Sequence, residues 1–243
     1  MRKLTLENNY APFTKGYFMH ILYLVMPIAY LIAHSVLEAS YKVVERGMTL
    51  IQIDFEPSIP YLSFMSICFY LCIGCVVAVL VFLMIKDVCA FKRYSIYLFI
   101  GLFIGIIVSA CFPNYNTLMP NISADDSFFG GLMKIIFGYD SNTNNFPSAL
   151  SIAAISLVYA THDSKTLNFK WLKILSICLA AVFSISTIFM KMNSIYDILG
   201  AGVICAAMLL PISLVKKRDD LKLGEERFKV MGEENPFAVH RRF

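Results

Sequence analysis

The chain has 243 residues, of which 58% are hydrophobic and only 16% charged, and its mean hydropathy is +0.67. Such a balance excludes a water-soluble domain of this size and points to the bilayer as solvent. The formal net charge of +4 then reports where the loops lie, not an affinity for nucleic acid.

Met1-Arg2-Lys3 is followed by a polar stretch, Thr5 to Asn9, and the first apolar run begins late and is long. This start does not have the form of a cleaved signal peptide, and the first helix is expected to stay. Five stretches carry no acidic residue and at most one Lys: 17–37, 61–85, 94–112, 147–162 and 171–190. A sixth, 194–215, carries Asp197 alone. A spanning helix needs about 20 apolar residues, so the expected fold is an all-α bundle of six transmembrane helices. Residues 1–215 would form the membrane domain and 216–243 a cytoplasmic tail.

Between the spans, the segment 38–60 carries Met48 to Ile53, an interfacial pattern. In the loop 113–146, Phe128, Phe129, Leu132, Ile135 and Ile136 recur at helical spacing, which predicts a short helix over 127–137 lying in the headgroup plane. Gly101-x-x-x-Gly105 in the third span is a close-packing signal within the bundle. With the N-terminus inside, seventeen Lys and Arg face inward, and only Lys42, Arg46, Lys134 and Lys191 face outward. That bias puts both termini in the cytoplasm. The seven cysteines lie inside spans or at their inner ends, where they pack as small apolar residues. Cys72 and Cys75 have a C-x-x-C spacing but no second pair, and neither a disulfide framework nor a metal site is expected.

Three polar stretches meet on the outer side under this topology: Cys111 to Pro120, Asn145 to Leu150, and Ser186 to Asp197. The second resembles the mouth of a phosphate site. Asparagines run into Phe146-Pro147-Ser148, the Pro is pre-set for a first helical turn, and the free N–H groups of a helix start donate to an anion in front of them. Leu150, however, puts a hydrocarbon where a proton donor or cation is expected.

On these three stretches the chain resembles the type-2 phosphatidic acid phosphatase superfamily, in its bacterial branch akin to inositol phosphorylceramide synthases. Phe82 to Asp87, Asp140 to Asn144 and Ile198 to Gly202 extend the likeness, which covers roughly residues 60–205. It implies a six-helix lipid-phosphatase fold in a bacterial plasma membrane, with the site facing outward and no cofactor. It also implies an Arg that holds phosphate, a His as general acid in Phe-Pro-Ser-x-His, and a nucleophilic His four residues before an orienting Asp. At those positions this sequence has Met119, Leu150 and Asn193, with Asp197 retained.

The losses have ranked consequences. Asn193 cannot attack phosphorus, because the lone pair of an amide nitrogen is delocalised. Leu150 removes a proton donor of a kind worth about 10²- to 10⁴-fold, and Met119 removes a charge clamp from the phosphoryl oxygens. No catalytic set is intact. The chain is therefore expected to bind a lipid or polyprenyl phosphate headgroup without cleaving it. The alternatives are a structural partnership with another membrane enzyme, or an active phosphatase with an unorthodox site.

Asn114, Ser148, Thr187 and Lys191 are the candidates for holding phosphate. Ser148 either caps the fourth span or donates to an anion. Lys191 either holds phosphate, satisfies Asp197 or snorkels to the headgroups. Asp197, an intramembrane carboxylate, either binds a ligand or packs helices, with Asn193, Lys191 or water as its expected partner. His34 is the histidine within plausible reach of the outer loops; His20 and His162 belong near the inner surface and His240 lies in the tail. Asp125, Asp126 and Asp140 make an acidic outer loop without a recognisable metal-ligand spacing.

Overall fold

The computed structural model describes residues 16–41, 47–139 and 143–234, and the chain divides into two units, Met1–Cys205 and Ala206–Phe243. Asp140 and His240 lie outside the described residues. Seven α-helices are present among the described residues: α1 (Gly16–Tyr41), α2 (Ser66–Lys86), α3 (Val88–Cys111), α4 (Phe128–Tyr139), α5 (Ala149–Asp163), α6 (Lys170–Phe189) and α7 (Ile195–Glu234). Two two-residue strands, β1 (Thr49–Leu50) and β2 (Asn114–Tyr115), pair in parallel.

Four helices are long and apolar enough to cross a membrane: Ser63–Lys86, Val88–Cys111, Lys170–Phe189 and Ile195–Leu214. They match four of the six expected spans. The expected span 17–37 falls in α1, where the apolar stretch among the described residues is Val25–Leu37. The span 147–162 falls in α5, whose 15 residues extend about 22 Å at 1.5 Å per residue, short of a hydrocarbon core of roughly 30 Å. Outward-facing side chains are apolar along the long helices: Val203 is 70% exposed, Trp171 64% and Leu31 63%. Such a surface suits lipid and not water.

The helices are joined by economical turns. Asp87 alone separates α2 from α3. Its N–H donates to Leu83 O at 2.8 Å, closing α2, and its carboxylate accepts from Ala90 N at 3.0 Å, capping α3. In the first unit α5 is the hub, packed on α6, α3 and α2, while α1 lies along α3. Gly101 and Gly105 are where α3 admits α5: a Cβ on them would sit 3.2 and 3.5 Å from Ile152. The expected small-residue contact is thus internal to the bundle.

The helix expected over 127–137 is α4. Its Met133 and Ile136 are buried with Ile122, Met190 and Met192, against Tyr61, Met65, Phe69 and Phe137. Its opposite face leaves Phe128 and Ile135 exposed. The segment 48–53, expected at the interface, contributes β1.

Candidate functional site

The site is built around the turn from α6 to α7. Met190 closes α6, Lys191 N donates to Ile188 O at 3.0 Å, and Met192 N donates to Thr187 O at 3.0 Å. These are the paired bonds of a Schellman motif, which requires a left-handed residue after the cap. Lys191 takes that position, with φ of 61°, where Gly is the usual occupant. The strain, about 1–2 kcal/mol for a non-Gly residue, is offset by what the turn does with its ammonium. Lys191 Nζ donates to Glu56 O at 2.6 Å and Pro57 O at 3.3 Å. Burial pulls the lysine pKa below its ordinary value, and the nearby Glu56 carboxylate acts in the opposite sense.

The turn also presents the Met192 carbonyl, on which the three polar stretches converge. Asn116 Nδ2 donates to it at 3.1 Å and Asn145 Nδ2 at 2.9 Å. Asn114, buried, braces the first stretch against the second: its Oδ1 accepts from Phe146 N at 3.1 Å, and its Nδ2 donates to Phe112 O at 2.9 Å and Phe146 O at 3.5 Å. Its amide is therefore spent on positioning. Thr187 is also buried, and its hydroxyl donates to Ser184 O at 2.7 Å in its own helix.

Ser148 is the N-cap of α5, with φ −60° and ψ 111°, and its Oγ accepts from Ser151 N at 3.3 Å. Pro147 therefore precedes the cap and does not fill the first helical turn, as the sequence had suggested. Asn193 Nδ2 donates to the same Oγ at 2.8 Å, and Ser148 N donates to Asp197 O at 3.0 Å, so Ser148 adds two bonds between the second and third stretches to the one from Asn145. Ser148→Ala is expected to lower the stability of the fold by about 1–2 kcal/mol, read as a fall in the thermal-unfolding midpoint in detergent.

Asp197 takes neither Asn193 nor Lys191 as a partner. Asn193 precedes α7 and turns toward Ser148, while Lys191 turns away toward Glu56 and Pro57. Asp197 Oδ2 instead accepts from Ser194 N at 2.7 Å, and Ser194 Oγ accepts from Tyr196 N at 3.3 Å. This is the reciprocal capping that holds a helix start. Asp197 is 1% exposed, and its Oδ1 has no partner among the described residues.

Glu56 is the residue that sequence reasoning passed over. It lies in a single 3₁₀ turn, Glu56–Ser58, and is 1% exposed. Its Oε1 accepts from Ile195 N at 2.6 Å and Ser194 Oγ at 2.9 Å, and its Oε2 from Ile53 N at 2.9 Å. The only signal in the sequence was an acidic residue before Pro57 in an apolar loop.

The three positions at which the resemblance leads one to expect an Arg and two His differ in setting. Met119 is 47% exposed, Leu150 is half-buried, and Asn193 is buried. His34 packs on the Tyr30 ring at 5.9 Å within α1. Asp125 Oδ1 accepts from Ser127 N at 3.0 Å, and Asp126 pairs with Lys134 at 3.5 Å. No His, Cys, Asp and Glu cluster fit for a metal occurs among the described residues. Compared with known proteins, the chain matches no family model, no curated protein and no solved structure.

Proposed function

We propose that this chain is an integral membrane protein with a lipid-phosphatase-like frame, six spans and cytoplasmic termini. It would hold a lipid or polyprenyl phosphate headgroup on the outer face of a bacterial plasma membrane without cleaving it. The observation that carries this reading is the Met192 carbonyl, which accepts one hydrogen bond from each of the other two polar stretches. Segments up to 76 residues apart are thus drawn to one point, as a shared site requires. Of the first-turn amides of α5, that of Ser151 is taken by the Ser148 cap, and those of Ala149 and Leu150 have no acceptor earlier in the helix and are left for an anion. At the attacking position, Asn193 has no nucleophilic lone pair and is tied to Ser148. In this reading α5 crosses only with its preceding loop, and α4 lies in the headgroup layer.

Purified protein is expected to release no phosphate from phosphatidic acid or undecaprenyl diphosphate above the protein-free rate, and to copurify with phosphate-headgroup lipid. Turnover that disappears in Asp197→Ala would sink the silent reading. The unpartnered Asp197 Oδ1 favours a second reading, an enzyme working through an aspartyl phosphate. A hydroxylamine-labile phosphoprotein would be its mark.

A further inference from the structure

Helix α7 does not need Glu56. Ser194 and Asp197 already cap it reciprocally from within its own first turn. Glu56 nevertheless reaches the same place from 138 residues away, putting one carboxylate oxygen 2.9 Å from the Ser194 hydroxyl and 2.6 Å from the Ile195 amide. A carboxylate on a helix-start N–H and a hydroxyl occupies the position of a bound anion. The same segment disposes of the nearby cation, since Lys191 Nζ is held by the carbonyls of Glu56 and Pro57. Lifting one short segment would therefore uncover an ammonium, a hydroxyl and a helix-start amide together.

That segment lies at the surface. Asp54, Phe55, Pro57 and Ser58 are exposed, so the carboxylate of Glu56 is buried on a surface loop with no core beneath its neighbours. Besides the bonds of Glu56 and Lys191, its moorings are few: the two-residue pairing of β1 with β2, Gln52 Oε1 accepting from Thr117 N at 3.2 Å and Thr117 Oγ1 at 2.8 Å, and Leu62 N donating to Phe189 O at 3.0 Å.

We propose that residues 53–58 form an autoinhibitory strap in which Glu56 stands in for an anionic headgroup at the start of α7. A phosphate-bearing lipid enters by displacing it. The proposal rests on the headgroup-binding reading and names the regulation of that site. Glu56→Gln keeps the shape and an accepting oxygen but removes the competing charge, whereas Gln52→Ala loosens a mooring without touching α7.

The test uses the full chain in phosphatidylcholine nanodiscs, with inorganic phosphate and phosphatidic acid as separate probes and amide hydrogen exchange over 53–58 as a second readout. Glu56→Gln is expected to bind both probes about tenfold tighter than the parent, the scale of one lost charge-assisted bond. Gln52→Ala is expected to shift in the same direction, and carries the test if Glu56→Gln does not fold. Phosphatidic acid is expected to speed exchange over 53–58 in the parent. Equal binding of phosphatidic acid by all three proteins with unchanged exchange would overturn the strap and leave the headgroup reading standing. Tighter inorganic phosphate binding by the variants, with no lipid bound by any, would keep the strap and remove the lipid. Binding of neither probe to any protein removes both.

Discussion

A chain carrying Met119→Arg, Leu150→His and Asn193→His together is expected to release inorganic phosphate from phosphatidic acid, and the parent chain is expected to release none. The expectation rests on the proposed headgroup-binding reading and on the setting of the three positions. An imidazole at position 193 would stand four residues before Asp197, whose buried Oδ1 has no partner among the described residues and can accept a ring N–H and fix the tautomer. Position 150 lies in the first turn of α5, half-buried, where the proposed reading would put the proton donor for a leaving alkoxide. Position 119 is open enough to accept a guanidinium without repacking, since Met119 is 47% exposed.

Groups that act as a unit are grossly non-additive, so each single replacement is expected to stay at the protein-free rate and only the triple variant to turn over. The general acid alone is worth about 10²- to 10⁴-fold, so adding it to the other two should be plainly visible. Asp197→Ala in the triple background is expected to return the rate to baseline. A triple variant that is folded yet inert would mean that the walls around these positions are not those of a phosphatase.

Arg93→Leu is expected to be the most destabilising single change in the molecule. Arg93 Nε donates to Asp163 Oδ2 at 2.6 Å, with the two side chains 10% and 5% exposed. This pair ties α3 to α5 at the end of the bundle away from the candidate site. Nearby, Ser164 Oγ donates to Asp87 Oδ2 at 3.1 Å. Removing one partner of such a buried pair leaves the other charge poorly compensated, which costs about 3–5 kcal/mol. The double variant Arg93→Leu with Asp163→Leu removes both charges and should recover most of the loss. Thermal unfolding of the parent, both single variants and the double variant measures the coupling. A double variant no more stable than Arg93→Leu would show that the two groups act independently.

Hydropathy and spacing determined much of this from the sequence alone. An apolar run long enough to span is a sum over neighbouring residues, so four of the spans, the short helix α4 and the close approach at Gly101 and Gly105 were legible without coordinates. The convergence of the three polar stretches was legible too, because alternating spans put them at one end. Tertiary structure alone decided what those stretches do with their polar groups. Thr187 turns into its own helix, Asn114 braces a neighbouring loop, Lys191 takes a left-handed turn toward two carbonyls, and Glu56 caps a helix that begins 139 residues later. Hydropathy is a property of each residue and adds along the chain. A hydrogen bond belongs to a pair, and which donor meets which acceptor is fixed only when distant segments are packed together.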